Sequence, residues 1–219
     1  MPRNIRITLL STAVLALAIT SVAHASEMDD ISQKLKSGDY SVVKTQLIPL
    51  AESGDARAQF NLGVSYNYGN GVEKDVGKAF EWTKKSAQNG DVHGQVNLAN
   101  MYMQGQGTDK SIPEAINWYE KAATQDDIHA EVVLGKIYRD GLTGKVDYSK
   151  SFQYFSKAAE HGDHEAEFNL AGFYHYGFGV QKDEERAKSL LAEANSGQSN
   201  NQPNKPHATL AAYSNNQDQ

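Results

Sequence analysis

The 219-residue chain is 39% apolar and 22% charged, with a formal net charge of −6. That suits one packed domain or one short repeat array, and argues against an unstructured chain or a nucleic-acid binder, which would carry a basic block. It contains no cysteine, which excludes disulfides, thiol catalysis, cysteine-ligated zinc or iron–sulfur sites and cysteine-linked lipid.

The first segment has the layout of an export signal. Arg3 and Arg6 give a small positive region, Ile7 to Ile19 is mostly apolar, and Ala23-His24-Ala25 is a small-x-small exit. The expectation is a signal peptide over residues 1–25, cleaved after Ala25. Cleavage removes two arginines and no acid, taking the net charge to −8. No later segment approaches 18 consecutive apolar residues, so no stable membrane insertion is expected afterwards.

Residues 26–54 read as an N-terminal cap. Met28 to Lys36 supplies a short first helix. Asp39 lies one period before Asp75, so the segment from Asp39 to Asp55 reads as the second helix of an incomplete unit, with Pro49 near its end.

A 36-residue period then governs the chain. Cuts at Asp55, Asp91, Asp127 and Asp163 align Leu62, Leu98, Leu134 and Leu170, then Gly63, Ala99, Gly135 and Ala171. Further on they align Tyr66, Tyr102, Tyr138 and Tyr174, and Gly69, Gly105, Gly141 and Gly177. Leu and Tyr four apart share one helix face. The Gly/Ala column marks where a neighbouring helix comes close. The pairs Gly69/Gly71, Gly105/Gly107 and Gly177/Gly179 predict helix ends with positive φ, not phosphate loops, since each follows a helix and no GxxxxGK[ST] run is present. A second helix follows in each block, preceded by Asp75, Ser111, Asp147 or Asp183 as candidate caps. The pattern predicts four repeats, 55–90, 91–126, 127–162 and 163–197. Thr143 replaces the second glycine of the third turn and Thr108 replaces a valine in the second, so both turns are expected to be locally reshaped. Residues 198–219, rich in Asn and Gln, predict a disordered polar tail.

The run from Ala58 through Leu62, Gly63, Tyr66, Gly69, Gly71 and Val72, then Lys78, Ala79, Trp82 and Ala87, resembles the Sel-one-like (Sel1-like) repeat, a relative of the tetratricopeptide repeat. The resemblance covers about residues 39–194. It implies an all-α fold, a right-handed superhelical solenoid of stacked helix-turn-helix units. It also implies a non-enzymatic adaptor that holds a protein or peptide, in exported bacterial members tied to envelope or host-interaction processes.

By analogy with tetratricopeptide geometry, the first helices line a concave groove. The period then nominates Arg57 and Tyr68, His93 and Asn100, Lys136 and Arg139, and His175 and Tyr176 as candidate protein-binding residues. Lys136 and Arg139 suit a guest with some acidic character, and Arg and Tyr are common binding hot spots. No HExxH motif or tight ligand set appears, although His161 and His164 flank a turn with Asp163, so neither metal nor cofactor is expected. No G-x-S-x-G elbow is present. The leading expectation is an exported, non-catalytic scaffold, periplasmic or secreted, binding an envelope or secreted protein. A cell-wall or small-molecule hydrolase and a peptidoglycan or glycan module, with Tyr68 and Tyr176 stacking on sugars, stay open as alternatives. No pattern sets an oligomeric state.

Overall fold

The computed structural model describes residues 26–198. The expected signal peptide, and residues 199–219 of the expected tail, lie outside the described residues. Gln198 belongs to the last helix. All regular structure among the described residues is helical. Helix α1 spans 26–36, and a π-helical turn, Val43–Leu47, runs into α2, Ile48–Glu52. Four helix pairs follow. They are α3 (Ala56–Tyr68) with α4 (Val76–Gln88), α5 (Val92–Gln104) with α6 (Ile112–Ala123), α7 (Ile128–Arg139) with α8 (Tyr148–Glu160), and α9 (His164–Tyr176) with α10 (Glu184–Gln198). The chain divides into two compact units between Gly94 and Gln95, inside α5.

Each helix of the four pairs starts where a side chain satisfies a free backbone N–H. The aspartates that mark the period are themselves caps. Asp55, Asp91, Asp127 and Asp163 accept from the N–H groups of Ala58, Gly94, Ala130 and Ala166 at 2.7–2.8 Å. Asp75, Asp147 and Asp183 do the same for the second helices at 2.9–3.0 Å, and Ser111 at 3.4 Å.

In the first unit α1 and α2 close over α3. Met28, Ile31, Val43, Leu47, Leu50 and Leu62 form its buried core. The cap therefore does the work of a missing helix pair. In the second unit Val132, Phe155, Leu170, Phe173 and Leu190 form a core edged by Phe152, Tyr148 and Phe178. Lysines near the ends of second helices lie over aromatic rings, Lys85 on Trp82 at 3.9 Å and Lys121 on Trp118 at 3.7 Å.

The small-residue column is a true close approach. A Cβ on Gly63 would sit 2.6 Å from Thr83 Oγ1, and one on Gly135 would sit 2.8 Å from the Phe155 ring. Small residues are also matched between neighbouring repeats. Ser86 donates its hydroxyl to the Ala56 carbonyl at 2.8 Å, and any Cβ on Gly94 would collide with that hydroxyl. Where the next two repeats carry Ala122 and Ala158 in place of Ser86, they carry Ala130 and Ala166 in place of Gly94.

The turn glycines take positive φ, and Gly71 and Gly179 have a second constraint. A Cβ at Gly71 would meet the Tyr40 carbonyl at 2.6 Å, and one at Gly179 the Tyr148 backbone at 2.9 Å. Each of these turns thus packs on the preceding second helix or the segment that leads to it. The second turn keeps this geometry, with Gly105 and Gly107 at φ +70° and +71°. Its expected reshaping does not occur, because Ser111 restores the cap in register. The third turn does change. Helix α7 stops at Arg139 and Gly144 takes φ +100°, leaving Leu142 and Val146 exposed.

Two substitutions test this packing by urea unfolding. Leu134→Ala removes a fully buried side chain and is expected to cost about 2–5 kcal/mol. Gly135→Ala pushes a methyl into the Phe155 ring and is expected to cost about 1–3 kcal/mol.

Candidate functional site

The first unit contains a cleft of about 470 Å³. Its apolar lining comes from Leu35 of α1 and from Phe60 and Val64 of α3, with the half-exposed Tyr40 at the edge. Basic and polar groups ring that lining. Lys36 ends α1 and makes no ion pair among the described residues. Arg57 opens α3, and half of its side chain is exposed although Nη2 reaches Asp29 Oδ1 at 2.9 Å. His93 lies in the first turn of α5, its ring centre 5.8 Å from that of Phe60. Asn61 and Asn70 add amide groups. Asp91 is the acidic member, and its carboxylate is engaged by the Gly94 N–H.

Of the residues nominated from the period, Arg57 and His93 meet in this cleft. Tyr68 does not line it, yet it is the most exposed large apolar side chain described, at 69%. Lys36, Tyr40, Phe60 and Asn70 were not nominated. Lys36 and Tyr40 belong to the cap, outside the four aligned rows. Phe60 lies in a column given no reading, and Asn70 lies inside the Gly69/Gly71 turn. A readable signal did exist: Tyr40 is an aromatic residue in the link between the two cap helices.

In the second unit the nominated residues are more occupied. Asn100 Oδ1 accepts from the Tyr119 hydroxyl at 2.6 Å. Burial pushes the Tyr119 phenol up to about 12. Lys136 pairs with Glu165 at 2.5 Å. The Arg139 side chain is only 14% exposed, donating from Nη1 to Asn169 Oδ1 and from Nε to Asp140 Oδ1. Both basic groups expected to meet an acidic guest therefore have partners within the unit. His175 Nδ1 meets Glu184 Oε2 at 2.8 Å. Hydrogen bonds from Lys182 first and His175 second hold the Glu184 carboxyl below the usual carboxylate range. Tyr176, 41% exposed, stacks on Phe178 at 5.3 Å, and Phe178 stacks on Tyr148 at 4.6 Å. Phe178 occupies the middle of a Gly-x-Gly turn where earlier repeats have Asn70 and Gln106, so a single aromatic substitution builds the ladder.

Among the described residues no group of three or more His, Asp or Glu is placed to hold a metal ion. His164, one of the two histidines flanking Asp163, instead meets Glu167 at 2.8 Å. No helix among the described residues is long and apolar enough to cross a membrane.

Residues 56–91, 92–127, 128–163 and 164–197 each match the family model of the Sel1 repeat. These bounds run one residue beyond the cuts at the capping aspartates. A Sel1 repeat protein from Oxalobacter formigenes is 33% identical with a TM-score of 0.71, over 75% of this chain and 68% of that one. The protein c5321, a protective antigen present in uropathogenic Escherichia coli strains and displaying an SLR fold, is 28% identical with a TM-score of 0.74. That match covers 82% of this chain but spans only 39% of the antigen. A Sel1 repeat protein from Klebsiella pneumoniae, 20% identical with a TM-score of 0.52 over 89% of this chain and 91% of its own, shares the fold. Among curated proteins, none matches. The all-α repeat architecture expected from the sequence is the one found.

The Tyr119–Asn100 bond yields a pH prediction. An unfolded phenol ionises near 10 and the folded one near 12, so stability should fall as pH rises from about 10 to 12. Spectrophotometric titration should show late phenols from both Tyr119 and Tyr154, the latter pushed up by burial and by the nearby Glu120 charge, and Tyr119→Phe should remove one of them. That variant should lose about 1 kcal/mol near neutral pH.

Proposed function

The chain belongs to the Sel1 repeat family, and from that premise we propose that it is an exported, non-enzymatic scaffold whose first-unit cleft holds a protein or peptide partner. Sel1 repeat proteins are generally protein-interaction scaffolds, and the repeat is typically non-catalytic. The observation that carries the finer reading is the cleft itself. A site with an apolar lining and Lys36, Arg57 and His93 around it suits an acidic segment that inserts one large apolar side chain. Interfaces gain most from such buried anchors, and the surrounding cations steer an acidic partner toward them. In a chain of net charge −6, the cleft sets Lys36 and Arg57 against a single lining carboxylate, Asp91.

Export rests on the Arg3, Arg6 and Ala23-His24-Ala25 layout, and an envelope or secreted partner follows from it. Likeness to the uropathogenic E. coli antigen agrees with a role at the cell envelope or against a host. The nominated second-unit residues, Asn100, Lys136, Arg139 and His175, act in this reading through the shape they hold more than through free charges.

One observation favours a second reading. The stacked Tyr148, Phe178 and exposed Tyr176 present a ring face suited to the apolar face of a sugar. A peptidoglycan-binding surface would predict sedimentation of the protein with purified cell wall, lost in Tyr176→Ala.

Two measurements test the main reading. Intact mass of the exported protein should place its N-terminus at Ser26. Crosslinked capture from envelope extract should recover one partner, and Lys36→Ala with Arg57→Ala should weaken its binding by roughly thirtyfold, about 2 kcal/mol. Undiminished binding by a variant of equal helicity would move the interface away from the cleft.

A further inference from the structure

The third repeat breaks a buried polar tie that the first two share. In the first, Gln59 donates Nε2 to the Ala51 carbonyl at 3.1 Å and accepts at Oε1 from Asn89, past the end of α4, at 2.9 Å. In the second, Gln95 accepts from Gln125 at 2.9 Å. One period later the pair becomes Glu131 and His161, and the residue in register with Ala51 is Ala123. Glu131 is 1% exposed, and its Oε2 is buried without a hydrogen-bond partner.

The chemistry of the replacement explains that orphan. A glutamine amide offers N–H donors where an ionised carboxylate offers only lone pairs. An ionised Glu131 would present an oxygen where Gln59 presents a donor to a backbone carbonyl. It would also hold a charge out of water, which is costly. A protonated carboxyl recovers one O–H donor and carries no charge.

We propose that Glu131 is a proton-operated latch. Its neutral carboxylic acid donates to the Ala123 carbonyl and ties α7 to the end of α6, and its ionisation releases that tie. This regulatory reading goes beyond the scaffold function and does not depend on where the partner binds.

The surrounding charges are mixed. His161 at the end of α8 and Lys157 within α8 favour the carboxylate. Asp126 and Asp127, in the turn after α6, oppose it. The Tyr154 phenol on α8 also feels the Glu131 charge. Burial outweighs them and holds the carboxyl above the ordinary glutamate value of 4.5. The sign follows. A carboxyl whose folded-state pKa is raised weakens the fold at pH above that raised value. The weakening disappears as pH falls below the ordinary glutamate range. Acidification toward the ordinary glutamate value therefore tightens the third repeat.

Hydrogen exchange on the full chain tests this, with intrinsic exchange rates divided out. Wild type is expected to gain protection in the 124–127 turn and the first turns of α7 between pH 7.5 and the ordinary glutamate value of 4.5. Glu131→Gln should be protected at both pH values, like the first repeat. Gln59→Glu should import the same pH dependence into residues 52–60, and it keeps the test valid if Glu131→Gln folds poorly. The proposal is overturned if Glu131→Gln retains the wild-type pH dependence. It is equally overturned if Gln59→Glu, folded, shows none.

Discussion

The approach of paired helices at Gly63 and Gly135 is the constraint on which the rest of each unit depends. At both positions a single added carbon would meet its neighbour inside van der Waals contact. Helices held that close leave no room for water between them. The adjoining Leu62 and Leu134 are consequently fully buried, and burial of such side chains is the largest favourable contribution to folding. The same closeness dictates the turns. A chain that must reverse within a few residues needs left-handed backbone at its glycines, and Gly71 and Gly179 must also lie flat against the segment before them. Turn, pair and core are one requirement stated at three positions.

Much of this was legible because a repeat samples the same physics four times. Leu and Tyr four residues apart, small residues beside the Leu and glycines after the Tyr can be read by aligning blocks. The first-helix caps were visible as the phase marks Asp55, Asp91, Asp127 and Asp163, but not recognised as caps. Their role depends on a backbone N–H three residues on, which the spacing contained all along. The candidate site was less legible, for the opposite reason. Lys36, Tyr40 and Phe60 lie together in one cleft, but no column is filled by them: the period repeats the two aromatics only in later blocks, as Tyr148 and Phe168, and Lys36 not at all. Arg139 looked like a free cation because its partner Asn169 stands 30 residues away in another helix.

Polar interior groups divide the repeats into types. Gln59 with Asn89 and Gln95 with Gln125 are neutral pairs whose donors and acceptors match. Glu131 with His161 substitutes ionisable groups at the same register. The apolar columns tolerate little variety, because volume and closeness are fixed. The polar ties tolerate more, because several side chains can span the same gap, and that freedom is where individual repeats acquire distinct behaviour within a common frame.

The pairing of Ser86 with Gly94 has a consequence for how such a chain can change over generations. Ser86 in the first repeat is accommodated because the second repeat begins its helix with Gly94, while the repeats that follow pair alanine with alanine. Repeat arrays lengthen and shorten when genetic recombination slips by whole periods. A slip that joined the first repeat directly to the third would set Ala130 against Ser86, placing a methyl where the hydroxyl now lies. The junctions therefore carry an order of their own. Whole-period loss or duplication is disfavoured at this seam and easier between the alanine-matched repeats, so the array's length is expected to drift from its C-terminal side.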